Sequence, residues 1–204
     1  MQPIRRTLFA AALAAAVAAP AWAQNTIKIA GLYELSGAGA TSGTMFKNGA
    51  EMAIKEINAA GGILGKKIEH TASDTQSNPG VAKGLATKAI DDGVFAVFGP
   101  VFSGSVKVNM ILCQQAEVPQ IVGAEAADIT QMGNPYVFRT SFGQQMSMPK
   151  IANYVRDGLK AKTVAVVWVN NDFGKGGRDN FIKEMKSRGI NVAADISTPN
   201  GRWT

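Results

Sequence analysis

The sequence predicts an α/β protein made of two doubly wound parallel-sheet lobes, the second incomplete. Three observations carry this. Short β-branched runs alternate with longer segments whose apolar residues recur every three or four positions, and such alternation lays helices on both faces of a parallel sheet. The alternation breaks at residues 130–135 and then restarts, which divides the chain into a lobe over residues 24–130 and a partial one over residues 131–204. The second stretch holds only two clear strands with their helices, and so small a sheet has little apolar area to bury.

The elements follow in order. Residues 27–32 form a short β-branched strand, and Gly37-Ala38-Gly39-Ala40 a flexible loop. From 43 to 60, Phe46, Ala50, Ala53, Ile54 and Ile57 mark one face of a helix, which Gly61-Gly62 stops. Residues 68–73 read as a strand. Asn78-Pro79 is an N-cap with proline at the first helical position. Val81, Leu85 and Ala89 line the helix that follows, which ends at Gly93. Residues 95–99 are apolar throughout, as in a strand covered on both faces. Ser103 or Ser105 caps a helix running to about residue 116, and residues 118–122 return to strand. Beyond the break, 136–140 is extended and 148–159 is helical with Ile151, Val155 and Leu159 on one stripe. Residues 163–169 are the strongest strand, 176–188 a helix and 190–197 a strand.

The N-terminus sets the compartment. Arg5 and Arg6 precede an apolar run over 8–19, and Pro20-Ala21-Trp22-Ala23 closes it. That is the layout of a secretory signal peptide over residues 1–23, cut after Ala23 to leave Gln24 first. The apolar run falls short of the roughly 20 residues that span a bilayer. The expectation is a periplasmic protein without a lipid anchor, since the residue after the cut is Gln24 and not a cysteine.

Composition narrows the chemistry. The formal charge of +6 drops to +4 once Arg5 and Arg6 are removed, and the lysines scatter without forming a block, so no nucleic-acid partner is implied. Cys113 sits in an apolar helical segment and reads as a buried, inert thiol. The single histidine, His70, lies in a strand, and no cluster of ligand-type residues has metal spacing. No cofactor, metal or catalytic set is expected, and the protein is read as a non-enzyme and a monomer.

Three turns could carry binding. Gly37-x-Gly39-x-x-Ser42 approaches a dinucleotide fingerprint but lacks its third glycine and the later acidic residue, so a flexible turn is the preferred reading. Residues 99–105 end a strand and open a helix. Ligands in open α/β sheets sit at that end, where helix N–H groups favour a carboxylate. Ser103 either adds a hydroxyl to such a site or caps the helix. Residues 121–128 make the analogous turn, where small residues admit a ligand to the backbone and Glu125 either meets a cation or points to water.

Several stretches carry a resemblance to a known family. They include Ile27-Lys28-Ile29-Ala30-Gly31 with Leu35-Ser36-Gly37, and Ile57-Asn58-Ala59-Ala60-Gly61-Gly62-Ile63-Leu64-Gly65. Ser73 through Pro79, Gly99-Pro100 through Ser105, Phe138-Arg139-Thr140 and Asn171-Asp172-Phe173-Gly174 extend it. The chain resembles the leucine/isoleucine/valine-binding family of type I periplasmic binding proteins of ABC importers. The resemblance implies two lobes joined by a hinge, with a ligand in the cleft, and a membrane permease as partner. It places the ligand's carboxylate on Ser103, with Val101 and Phe102 beside it, and the ammonium group on the turn Gly123, Ala124 and Glu125. Phe173 closes over the ligand from the second lobe. Glu125 stands where a small hydroxyl residue is common, and Ser42 where branched-chain binders often have an aromatic. The family's chains are much longer, so a truncated gene product that binds weakly or not at all is expected. The leading reading is a solute-binding protein for an amino acid or small carboxylate. A ligand-sensing receptor domain of the same fold and a secreted doubly wound enzyme are the alternatives.

Overall fold

The computed structural model describes residues 26–199. The expected signal sequence over residues 1–23, its expected cut after Ala23 and the final residues 200–204 lie outside that range.

The first sheet is parallel throughout, in the order β2-β1-β3-β4-β5. Its strands are β1 (Ile27–Tyr33), β2 (Ile68–Asp74), β3 (Ala96–Phe98), β4 (Gln120–Val122) and β5 (Val137–Arg139). The crossovers are α1 (Ala40–Ala59), α2 (Pro79–Asp91) and α3 (Ser103–Gln115), with a 3-10 turn at Ala127–Thr130 before β5. A second parallel sheet holds β6 (Thr163–Val169) and β7 (Asn191–Thr198). Its helices are α4 (Gln144–Asn153), extended by a π turn at Tyr154–Gly158, and α5 (Asp172–Ser187).

Local chemistry explains the punctuation. The Asn78 side chain accepts from the N–H groups of Gly80 and Val81 at 2.7 and 3.2 Å, with Pro79 opening α2. After α1 the chain needs left-handed backbone at Gly62 (φ +85°), where a side chain would also strike the Lys66 carbonyl. Leu32, Ala30 and Val97 pack with Ala86, Ala89 and Cys113 beneath α2 and α3. Val106, Met110, Val122, Ile129 and Val137 make the adjoining cluster. Ala152, Val155, Met185 and Ile190 form a separate, smaller core in the second lobe. Cys113 is buried as expected, and burial pushes its thiol up to about 11. No helix among the described residues is long and apolar enough to cross a membrane.

Three expectations are corrected. Residues 137–139, assigned to the second lobe, pair with β4 and complete the first sheet, so its pairing ends after Arg139 rather than at 130. Neither Ser103 nor Ser105 caps α3. The N-cap position is Phe102, with no side-chain bond, and Ser103 is the first helical residue. The stripe on residues 148–159 fails in part, because Val155 is buried while Ile151 and Leu159 are exposed. The helix packs on α5 through Ala152 and Val155, and the π turn widens the last turn and takes Leu159 out of phase.

Candidate ligand-binding cleft

The carboxyl ends of β1, β3 and β4 face the carboxyl end of β6 across a cavity of about 560 Å³. Strand ends are where an open α/β sheet leaves room, because each strand there turns outward into its helix. One wall carries Ser42, Val101, Phe102, Ser103, Gly123 and Glu125, and the other Val169, Asn171, Asp172 and Phe173. Seven of the eight sequence-predicted residues therefore line one space. Ala124 is the exception: its side chain is fully buried in the core cluster below the turn, and its carbonyl accepts from the Ser141 hydroxyl at 3.3 Å.

The first wall is built around a residue the sequence reading passed over. Glu34 follows β1 directly and is 0% exposed. Its Oε2 accepts from the Val101 N–H at 3.0 Å and its Oε1 from the Phe102 N–H at 2.9 Å. Burial raises its carboxyl pKa, and these two N–H bonds oppose the rise. Gly43 of α1 lies against the Glu34 backbone, where a side chain would strike the Glu34 carbonyl. The turn after β2 steadies the same segment. Asp74 Oδ1 accepts from the N–H groups of Leu35, Ser36 and Gln76 at 2.8–3.1 Å. Ser77 Oγ donates to the Ser36 carbonyl at 2.7 Å and accepts from Gly39 N–H at 2.9 Å. One sequence signal was available, namely an acidic residue at the carboxyl end of each of the first two strands, Glu34 just after β1 and Asp74 closing β2.

With their N–H groups held by Glu34, Val101 and Phe102 offer the cavity apolar surface. The donors left for a ligand are the N–H groups of the first turn of α3, which lack intrahelical acceptors. Ser105 adds to them: it lines the cavity, is fully buried, and its hydroxyl has no partner among the described residues. Ser103 is buried too, and its Oγ accepts from Ala126 N–H at 3.2 Å, so it braces the neighbouring turn while its own hydroxyl proton stays free to donate. This arrangement suits an anion, since the helix amino end carries partial positive charge. Glu125 supplies the opposite sign on the same wall.

Two side chains tie the walls together. Gln144 donates its backbone N–H to the Glu125 carbonyl at 2.9 Å and its side-chain Nε2 to the Phe173 carbonyl at 2.8 Å. Lys107 of α3 pairs with Asp128 at 2.7 Å and with Asp172 at 3.0 Å. No sequence signal marked either residue, because both act through contacts made only after the lobes meet. On the second wall, Asn171 caps α5 by accepting from Gly174 N–H at 2.8 Å, and Phe173 is 43% exposed toward the opening.

A smaller hollow of about 360 Å³ lies between β1, β2 and α2. Its charged rim includes Lys88 and Asp92, which pair with each other at 2.5 Å. Among the described residues no group of three or more His, Cys, Asp or Glu could hold a metal ion.

Comparison with known proteins agrees with this architecture. A family model described as periplasmic binding protein matches residues 26–202. The Leu/Ile/Val-binding protein BraC3 of Rhizobium johnstonii is 34% identical over 199 residues, which is 97% of this chain and 54% of that protein. The leucine-, isoleucine-, valine-, threonine- and alanine-binding protein of Pseudomonas aeruginosa is 35% identical over 187 residues, covering 91% of this chain and 50% of its own length. The chain thus spans about half the length of the curated relatives it matches. Among solved structures, the branched-chain amino acid transporter substrate binding protein LivJ of Streptococcus pneumoniae, in complex with isoleucine, superposes with a TM-score of 0.77 at 34% identity. That match covers 87% of this chain and 51% of LivJ. A solute binding protein of an ABC transporter from Rhodopseudomonas palustris, in complex with 3,4-dihydroxy benzoic acid, reaches a TM-score of 0.78 at 27% identity, covering 86% and 48%. In fold and sequence alike, this chain belongs to the periplasmic binding protein family whose model spans residues 26–202, and it is similar to that family's Leu/Ile/Val-binding members.

Proposed function

We propose that the protein is a periplasmic solute-binding component of an ABC importer, capturing a small carboxylate, an amino acid foremost, between its lobes for a membrane permease. The observation that carries this reading is the cavity itself. The amino end of α3 and the Ser105 hydroxyl, which has no partner among the described residues, face it from one wall, and Phe173 stands opposite. The relatives' ligands, isoleucine in one and a dihydroxybenzoate in another, are both small carboxylates. The function is capture rather than catalysis, in keeping with relatives that are binding proteins. The signal-like segment over residues 1–23 supports export, and the protein is read as a monomer. Binding needs surfaces from both lobes, because excluding water is what strengthens the polar contacts. Amide chemical-shift titration with leucine and with benzoate reads binding directly. One of them should move the signals of Gly104, Ser105, Glu125 and Phe173 together. If neither ligand moves them, the reading fails.

A further inference from the structure

We propose that Glu34 is a positioning residue for the ligand: its buried carboxylate holds the Val101–Phe102 turn so that the amino end of α3 points into the cleft. The inference rests on reading the cleft as the ligand site.

The geometry makes the case. A carboxylate has two oxygens, and each here takes one of two consecutive backbone N–H groups, at 3.0 and 2.9 Å. Such a bidentate grip fixes the orientation of the peptide between Val101 and Phe102 as well as its position. That peptide leads directly into Ser103, the first residue of α3. Any tilt of it would swing the N–H groups of the first helical turn and the Ser105 hydroxyl away from the cavity. Glu34 cannot itself be a ligand contact, because it is fully buried and lies outside the cavity lining.

The alternative is that Glu34 only stabilises the fold. A structural role alone asks only that the Val101 and Phe102 N–H groups find acceptors, because unpaired backbone donors are costly. Such a role predicts that ligand affinity stays put when the grip is weakened while the fold persists, whereas a positioning role predicts that it falls. The grip is also insulated from the ligand. Because Val101 and Phe102 give their N–H groups to Glu34, the ligand's carboxylate is left to the next three N–H groups along the chain. Glu34 thereby decides which donors the ligand meets.

The charged group facing Glu34 is Asp74, at the end of β2. The Ser36 hydroxyl and the N–H groups of Gln76, Leu35 and Ser36 hold the Asp74 carboxyl below its ordinary value, while burial lifts that of Glu34 above its own. The two titrations therefore separate, with that of Glu34 at the higher pH.

The test uses the whole chain labelled with nitrogen-15. In the unmodified protein, the Val101 and Phe102 amide signals should titrate together in one step, displaced upward from the ordinary glutamate value. That measurement needs no variant, and absence of the shared step overturns the proposal. In Glu34→Gln the step should vanish, and exchange of those two amides should quicken roughly tenfold to a hundredfold, the equivalent of a hydrogen bond to a charged group. Protection in β1 and β3 should persist. Affinity for leucine or benzoate, whichever binds, should fall by a similar factor. Loss of the step with unchanged affinity overturns the positioning role. A chain that shows the step and its loss in Glu34→Gln but binds neither ligand overturns the proposed function instead, so the two failures are distinct.

Discussion

The two sheets of this protein are made from similar sequence and end in different states. β1 and β3 are mostly apolar runs, buried from Ile29 to Tyr33 in β1 and at Ala96 and Val97 in β3. β6, Thr-Val-Ala-Val-Val-Trp-Val, is the more apolar strand by sequence, yet Val167 is 56% exposed and only Val166 is buried. β7 fares likewise, with Ile196 51% exposed. The difference is one of company. β1 has a strand on either side and helices that cover it, whereas among the described residues β6 has β7 alone and is covered through α4 and α5. Burial is thus a property of the neighbours a strand acquires, and an apolar run states only that neighbours are wanted.

The largest expected effect follows from that contrast. Amides of β6 and β7 should exchange several orders of magnitude faster than those of β1 and β3, because local opening free energies run from near zero up to the global stability. Hydrogen exchange followed by mass spectrometry or NMR reads this, and equal protection in the two sheets would break the comparison. The next effect is in the cores themselves. Leu32→Ala should cost about 2–5 kcal/mol, the range for truncating a buried leucine. Val167→Ala, at a half-exposed position, should stay within roughly 0.5 kcal/mol. Denaturant unfolding of the two variants measures the difference.

A smaller effect concerns pH and the first lobe alone. His70 of β2 is tucked against Tyr33, whose hydroxyl pairs with its Nε2 at 3.0 Å, and its Nδ1 lies 4.0 Å from Glu51 of α1. Burial lowers the His70 pKa from 6.5, with Glu51 opposing and Lys47 assisting. A lowered folded value means the unfolded chain takes up the proton first. The contribution of His70 to stability is therefore full above pH 6.5 and is lost as the pH falls from there through the folded value. Thermal melts across that interval should show the loss in the unmodified protein and a flatter profile in His70→Gln. The smallest effect lies between the lobes. Lys107 joins Asp128 to Asp172 with both carboxylates about half exposed, and such pairs contribute about 0–1 kcal/mol and weaken with salt. Lys107→Met should lower stability by no more than that, and its difference from the unmodified chain should shrink at high ionic strength. A loss that persists undiminished in molar salt would mean that packing, not charge, joins the lobes there.

How far the sequence could be read differs between the backbone and the site. The helix stops at Gly61-Gly62 and Gly93, the cap at Asn78-Pro79, and the strand at 163–169 stand where the sequence places them. These are local matters of φ, capping and hydrophobic period, decided within a few residues. Ser42, Val101, Phe102, Ser103, Gly123, Glu125 and Phe173 come together because the topology brings strand ends to one edge, and strand ends are recognisable in sequence. Ala124 turns its side chain into the core cluster beneath the cavity, and no period in the sequence marks which residue of that segment faces inward.

What the sequence determined by itself was the alternation of strands and helices, the parallel sheet and the strand-end edge on which the cavity opens. Tertiary structure alone decided the rest. It drew 137–139 into the first sheet, since a three-residue strand joins whichever edge is open beside it. It turned Glu34 from an ordinary acidic residue after a strand into the anchor of a turn 67 positions away. It gave Lys107 and Gln144 their partners across the cleft. Hydrogen bonds and ion pairs between distant segments leave no periodic trace in a sequence, because their energy depends on distances that exist only after the chain has closed upon itself.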